Sequence, residues 1–497
     1  MGGNKMKRIL DSVHGYIQIE DEYCKHIIDT EYFQRLRRIE QTSTRSIFPS
    51  ARHDRFIHSL GVFHLGCMFV KRIDEQISNL DMDKQPQNLK SVYESYKLAC
   101  LLHDVAHSPF SHTFEDYFDN EWSDLRGTLC SIINNPLFTE DWNVVSDPSA
   151  PHERMSAIVA VGVFGQFIDD QQANRELVAR MIIGLKYQDH VHKSFENAMI
   201  DLIHGDVIDA DGLDYVCRDS WASGYSTTKV DVDRLIDSVR IIPDENGLFK
   251  LCYTDKSLNE IEAVLKVKTF QQSFVINHHT VMYEQKLLVK AMESAALYHF
   301  KGLRNVEDEG ERQRALQKLC SIDCFYKSEG ELGKVTDNTG IKVALPMDDD
   351  FIALMKPVRD DKYVIQWLTR KYNLIALWKS KADFYQRFKH LRGYKLTETS
   401  WIFHNDCRKY ISNTFGIPME DILIKKATPK YKENFAKKVD LVVNGEIITY
   451  ADLFPEDVHS YEPPQSEFFY IYVPKECDKN IILDALMRES SKYYMDR

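Results

Sequence analysis

The sequence contains no run of about eighteen apolar residues, the length a helix needs to cross a bilayer, so no transmembrane helix is expected. Its first twenty residues, MGGNKMKRILDSVHGYIQIE, lack the apolar centre of a secretory signal. None of the ten cysteines lies in a CxxC pair; they are scattered from Cys24 to Cys477. Such spacing reads as buried reduced thiols in a reducing, cytoplasmic setting. Positive charge is also short. A formal net charge of −12 argues against a protein that coats duplex nucleic acid. Internal repeats and low-complexity tracts are missing too.

What is present is an ordinary globular balance, 43% hydrophobic and 28% charged over 497 residues, enough for two or three domains. Helical periodicity dominates from about Tyr23 to Phe300, and Glu262 to Phe300 reads as one long helix. Short strands are expected at GYIQIE and at VRIIPDENGLFKLCY, where Glu245-Asn246-Gly247 supplies a hairpin turn. Composition then shifts to the charged NVEDEGERQRALQKL and the glycine-rich KSEGELGKVTDNTG. Beyond it, KVDLVVNGEIITYADLF and SEFFYIYVPKE read as strands and CDKNIILDALMRESSKYY as a closing helix. The expectation is a mostly α protein: a helical region over 1–304, a connecting segment over 305–350 and a smaller α+β region over 351–497. An anionic small molecule stays compatible with the net charge, because FQRLRRIEQ and the arginines that follow, Arg45, Arg52 and Arg55, form a local basic patch.

The stretch LACLLHDVAHSPFSH sets His103, Asp104, His107 and His112 at the end of an apolar helical run. Such groups are costly to bury unless something holds them. Either a metal binds here or the polar groups cap a helix. Imidazole with carboxylate suits a borderline divalent cation, and adjacent residues need partners from elsewhere. His58 lies upstream in RHDRFIHSLG and several aspartates lie downstream in GDVIDADGLDYVCRD. The order His58, His103-Asp104, Asp211 is the signature of the HD phosphohydrolase superfamily. With FQRLRRIEQ, FPSARHDRFIHSLGV, LLHDVAHSPFSH, HERMS and IDADGLDYVCRD, the chain resembles the dNTP triphosphohydrolases of that superfamily, both the sterile-alpha-motif-and-HD-domain type and related bacterial dNTPases. The likeness is dense from about Leu10 to Phe300 and thinner towards the C-terminus; a sterile-alpha-motif domain is not expected.

The resemblance implies an HD-domain helical core and a metal-dependent enzyme that cleaves dNTPs to deoxynucleoside and tripolyphosphate. It implies one divalent metal, manganese, iron, zinc or magnesium, on His58, His103, Asp104 and Asp211. His107, His112 and His152 would surround the phosphates with Glu153 behind, and His112 is favoured as the acid that protonates the leaving 5′-oxygen. Arg55 would bind a phosphate oxygen. Tyr215, Asp219 and Gln41 would hold the sugar, and Tyr283 would close the site. Asp29, Gln34 and Arg37 match residues that grip a guanine nucleotide activator, GTP or a dNTP, between the subunits of a homo-oligomer, a tetramer being favoured. The implied roles are dNTP pool control or antiviral defence. Three positions depart from the pattern: Gly212 stands where a phosphate-binding lysine is expected, Val275 where an arginine is, and Leu10 where an asparagine of the activator site is. Two lost cations leave room for a substrate with fewer phosphates. The competing readings are another HD phosphoesterase, either a nucleotidase or a cyclic-nucleotide phosphodiesterase, and a nucleotide-sensing oligomer.

Overall fold

A computed structural model describes residues 6–121, 123–146, 149–205, 208–224, 229–302, 308–328, 332, 335–336, 342–388, 407–427, 439–455 and 469–493. The chain is mostly α, with small sheets. Its helical part is organised around α1 (Arg55–Ile77), whose apolar residues recur at spacings of three and four and bury Phe56, Leu60, Phe63, Phe69 and Ile73. Asp54 starts α1 by accepting the Ile57 N–H at 3.0 Å, the usual way a first-turn donor is satisfied. Packed on one another are α1 with α2 (Leu89–Leu102), and α3 (Pro151–Val163) with α4 (Arg175–Ile183), which also meets α2. A further helix, α5 (Ala210–Ser223), lies along α1. The approach is close because position 61 is glycine: a Cβ there would stand 1.9 Å from Asp214 Oδ1.

Strands β1 (Met6–Asp11) and β2 (Gly15–Glu20) pair antiparallel at the start of the chain. The hairpin anticipated around Glu245-Asn246-Gly247 joins β3 (Val239–Pro243) to β4 (Phe249–Thr254). The long helix expected from Glu262 to Phe300 is instead two. α6 (Leu258–Phe270) runs into a wide π-helical turn over Gln271–Ile276, and α7 (His279–Lys301) begins anew. His278 Nδ1 accepts the Thr280 N–H at 3.2 Å, while the Tyr470 and Tyr472 hydroxyls donate to the carbonyls of Asn277 and His279 at 3.0 and 2.6 Å. Partners almost two hundred residues away thus satisfy the broken helix end, which local periodicity cannot reveal.

The segment expected as a connection over 305–350 is ordered where it is described. α8 (Glu309–Leu319) packs on α7 and buries Leu316 and Leu319. Much of the glycine-rich run, 329–331, 333–334 and 337–340, lies outside the described residues. Further on come α9 (Asp348–Met355) and α10 (Lys362–Thr369). A three-stranded antiparallel sheet follows, with β9 (Phe469–Pro474) between β5 (Leu374–Ala376) and β6 (Leu423–Lys426). The chain's last described element is α11 (Lys479–Tyr493). The hairpin of β7 (Asp440–Val443) and β8 (Glu446–Thr449) does not join that sheet. It extends the β3–β4 hairpin instead, β7 pairing parallel with β4 through Tyr253–Leu441 and Thr254–Val442. C-terminal strands therefore complete a sheet begun in the helical region. No helix among the described residues is long and apolar enough to cross a membrane.

Candidate active site

The end of α2, the loop after it, the start of α1 and the first turn of α5 converge on four side chains. His58 Nε2 lies 3.0 Å from Asp211 Oδ1 and 3.3 Å from His103 Nε2. Asp104 Oδ2 is 3.6 Å from His58 Nε2 and 3.5 Å from His103 Nε2. His103 Nδ1 donates to the Cys100 carbonyl at 3.0 Å, and His58 Nδ1 to the Asp214 carboxylate at 2.7 Å. Both partners can only accept, so in the neutral rings each Nε2 offers a lone pair to the same point. Two lone pairs so close repel unless a cation lies between them. The group also draws a proton strongly. Burial alone would lower the His58 pKa, yet Asp211 and Asp214 push it up to about 10. Burial opposes ionisation of Asp104 and Asp211 as well, but Arg55 and the two imidazoles hold both carboxyls well below the usual range. Two imidazoles and two carboxylates fit a borderline divalent cation.

Behind His58 stands a network that sequence reasoning did not single out. Asp214, fully buried, receives His58 on one oxygen and His14 Nε2 on the other at 2.7 Å. Arg218 bridges Asp214 to Asp11 with bonds of 2.8 to 3.1 Å. Asp214 sits three residues after Asp211 and four before Arg218, a helical spacing that puts carboxylate and guanidinium together. That spacing was the available signal.

Beside the first cluster, His107, His112, Glu115 and His152 bring their polar atoms within 4.8 Å of one another. The rings of His107 and His152 stack at 4.4 Å, and His112 stands at 5.1 Å from each. Glu115 was missed from the sequence; it binds His152 Nδ1 closely and His112 Nδ1 at 3.1 Å. Glu153 does different work: its carboxylate accepts the Ala150 N–H at 2.6 Å and so caps α3, 4.0 Å from His152 Nε2. Burial works against a charged His152, but Glu115 outweighs it and raises its pKa. Burial, then Arg55 and the neighbouring imidazoles, keep His107 neutral, and its Nε2 has no hydrogen-bond partner among the described residues. The loop holding these residues carries two consecutive non-glycine residues with positive φ, Phe110 and Ser111, both at 53°, a conformation that needs external support. Asp348 supplies it, accepting the Phe110 N–H at 2.6 Å and the Glu40 N–H at 2.9 Å. Buried Arg35 donates to the carbonyls of His107 at 2.8 Å and Pro346 at 2.6 Å.

The remaining anticipated residues fall into three groups. Arg55 is tied to Asp104 and Ser111 Oγ, the latter at 2.8 Å, rather than facing open space. Asp219 accepts from His53 Nε2 at 2.6 Å, and the His53 carbonyl accepts the Gln41 N–H at 3.2 Å. Gln41 Oε1 and His53 Nδ1 are buried without hydrogen-bond partners among the described residues; His53, within RHDRF, carries no signal of its own in the sequence. Tyr215 is half-buried one turn along α5 from Asp211. Tyr283 donates its hydroxyl to Gln366 at 3.1 Å, and its ring meets Tyr372 and Tyr472. Gln34 and Arg37 bond at 3.0 Å, Arg37 covers the Phe56 ring at 3.4 Å, and exposed Asp29 meets Lys7 at 3.3 Å. Leu10 is exposed on β1 and Val275 is buried in the π-helical turn.

Residues 55–132 match the HD domain family. A deoxynucleoside triphosphate triphosphohydrolase SAMHD1 homologue of Dictyostelium discoideum is 29% identical over 282 residues, 55% of this chain and 46% of that protein. An uncharacterised protein of Methanocaldococcus jannaschii is 28% identical over 290 residues, covering 58% and 49%. The SAMHD1 triphosphohydrolase of Danio rerio is 41% identical over 114 residues, 23% of this chain and 17% of that enzyme. The chain thus spans about half the length of the first two of these relatives. A phosphohydrolase structure from Bacteroides thetaiotaomicron shares the fold, with a TM-score of 0.60 at 18% identity over 94% of this chain and all of that one. The chain carries an HD domain and is homologous to the SAMHD1 triphosphohydrolases.

Proposed function

We propose that this protein is a metal-dependent dNTP triphosphohydrolase that yields deoxynucleoside and tripolyphosphate and is regulated by a second nucleotide in an oligomer. The observation that carries the reading is the placement of His58, His103, Asp104 and Asp211 directly beside the His107–His112–Glu115–His152 cluster. Held by the first set, a divalent ion would neutralise phosphate charge and ease deprotonation of the attacking water. Arg55 and Asp214 fix Asp104 and His58 in place. His107, neutral and with a free Nε2, contacts the phosphates. Water attacks the α-phosphorus and the bond to the 5′-oxygen breaks. His112 gives the departing oxygen its proton; burial holds its pKa down although Glu115 opposes this, and the same Glu115 raises the pKa of His152 beside it. Gln41, Asp219 and Tyr215 hold the sugar; the unpartnered Gln41 Oε1 and His53 Nδ1 suit its hydroxyls. Glu153 and Tyr283 act by shaping α3 and the α7 packing rather than by touching substrate.

A second reading, an HD phosphoesterase acting on fewer phosphates, draws on the engagement of Arg55 with Asp104 and on Gly212 and Val275. Chromatography decides between them. Purified protein with Mn²⁺ is incubated with each dNTP, alone and with GTP. Deoxynucleoside plus tripolyphosphate supports the first reading; intact dNTPs in every combination overturn it.

A further inference from the structure

The histidine cluster beside the HD residues is arranged as an ion-binding set as well as a proton-handling one. One nitrogen from each of His107, His112 and His152 and one oxygen of Glu115 lie within 4.8 Å of one another. Two edges of the set are already short. Glu115 is closely bonded to His152 Nδ1 and lies 3.1 Å from His112 Nδ1. Bonds of about 2.0–2.1 Å to a tetrahedral zinc ion set neighbouring ligand atoms about 3.3 Å apart, so the carboxylate and these imidazoles stand close to the span an ion requires. The fourth group, His107, is fully buried, and its Nε2 has no hydrogen-bond partner among the described residues. At the open end of the cluster the His112 side chain is half-exposed, which gives an ion a way in from solvent. The two sets also differ in kind. Two imidazoles and two carboxylates make up the first, a mixture that suits manganese or magnesium as well as zinc; three imidazoles and one carboxylate make up the second, which favours zinc.

We propose that His107, His112, Glu115 and His152 form a zinc site of their own, distinct from the one on His58, His103, Asp104 and Asp211, and that zinc bound there stops proton delivery. The inhibitory part rests on the reading of His112 as the acid of the reaction; the binding part does not. Zinc takes the place of the protons that join Glu115 to the two Nδ1 atoms. A neutral ring then carries its proton on Nε2, and a charged ring releases one proton to water. With a lone pair committed to the ion, neither imidazole can cycle between its charged and neutral forms near neutral pH. Cleavage that depends on His112 therefore stops, and it resumes when the zinc is withdrawn. The cluster becomes a point at which the zinc level regulates the site.

The test counts zinc by elemental analysis after the metal-free protein has been equilibrated with excess Zn²⁺ and desalted. Wild type is expected to hold two ions per chain, His112→Ala one, Asp211→Ala one and the double variant none. The side chains of His112 and Asp211 are both half-exposed, so neither substitution opens a buried cavity. Glu115→Gln, which keeps the size of its side chain, is a second route to the loss of the second ion. Cobalt(II) on Asp211→Ala is expected to show the intense visible absorption of a tetrahedral site, and the double variant to lack it. A single zinc in wild type overturns the proposal, as does a second zinc that persists in His112→Ala and Glu115→Gln. Turnover is scored separately on Mn²⁺-loaded wild type, with Mn²⁺ content followed as Zn²⁺ is added. Turnover lost as one zinc is gained and Mn²⁺ retained supports inhibition; turnover that continues with the second zinc bound removes that part. If dNTPs are never turned over while the second zinc follows His112 and Glu115, the triphosphohydrolase reading falls and the zinc site stands.

Discussion

Asp214 holds His58 by a 2.7 Å bond from the imidazole Nδ1 and shares its other oxygen with His14. This buried carboxylate turns Nε2 of His58 towards His103 and Asp211. Partners of this kind commonly contribute about ten- to a hundredfold to metal affinity. Asp214→Asn is therefore expected to weaken Mn²⁺ binding by about that factor. Elemental analysis after dialysis against graded Mn²⁺ checks it; unchanged occupancy would remove Asp214 from the metal's support.

Glu115 binds the imidazoles of both His112 and His152. Burial disfavours the charged form of His152, and Glu115 overcomes that and raises its pKa. A raised histidine keeps its proton below the raised value and loses it as pH climbs through that value. Steps that need the proton are then retained to higher pH than an ordinary imidazole allows and fade on the alkaline side. In Glu115→Gln the attraction is gone, so the alkaline limb of the kcat profile is expected to move down by about one pH unit. A profile that keeps its limb in place would exclude Glu115 from proton handling.

These two residues also mark where sequence reading stops. The His103-Asp104 pair at the end of an apolar helix is chemically anomalous, but the set His58, His103, Asp104 and Asp211 could be named only through the resemblance to the HD superfamily. The mostly α fold was readable from periodicity. Glu115 sits among ordinary acidic residues in FEDYFDN, and only the path of the loop after Phe110 brings it under His152. Likewise, the break between α6 and α7 depends on Tyr470 and Tyr472, and the β4–β7 pairing on strands nearly two hundred residues apart. Long-range contacts of this kind leave no local pattern. For Tyr283, whose spacing from His279 suggested that it closes the site, the structure shows a hydroxyl donated to Gln366.

Asp348 joins the segment after α8 to the histidine loop through the N–H groups of Phe110 and Glu40. Replacing it by alanine leaves two buried donors without partners and releases the positive-φ pair at Phe110 and Ser111. The expected cost is about 2–6 kcal/mol, at about 1–3 kcal/mol for each of the two unsatisfied groups, read as a lowered midpoint in urea. Burial pushes the Asp348 pKa up to about 6, from 3.8, against the pull of the two N–H bonds. The folded state therefore binds this proton more tightly than the unfolded chain does. Its contribution to stability is full below pH 3.8 and falls as pH rises to about 6. The difference in stability between pH 4 and pH 7 is expected to shrink in Asp348→Ala; an unchanged difference would exclude Asp348 as its source.

Arg37, named with Asp29 and Gln34 for the expected activator site, lies against the residue that follows Arg55. Its guanidinium covers the Phe56 ring at 3.4 Å and accepts orientation from Gln34 at 3.0 Å. Phe56 follows Arg55, which is bonded to Asp104. A guanine edge that took two hydrogen bonds from Arg37 would draw it off Gln34 and load the first turn of α1, where Arg55 begins. On the proposed function, Arg37→Ala is expected to abolish the increase in dNTP turnover brought by GTP, together with any GTP-driven assembly in sedimentation velocity. Mn²⁺ content is expected to stay at the wild-type level, because Arg37 touches none of His58, His103, Asp104 or Asp211. Retained GTP stimulation in this variant would place the activator elsewhere, and a loss of Mn²⁺ would mean that Arg37 supports α1 itself rather than reading a nucleotide.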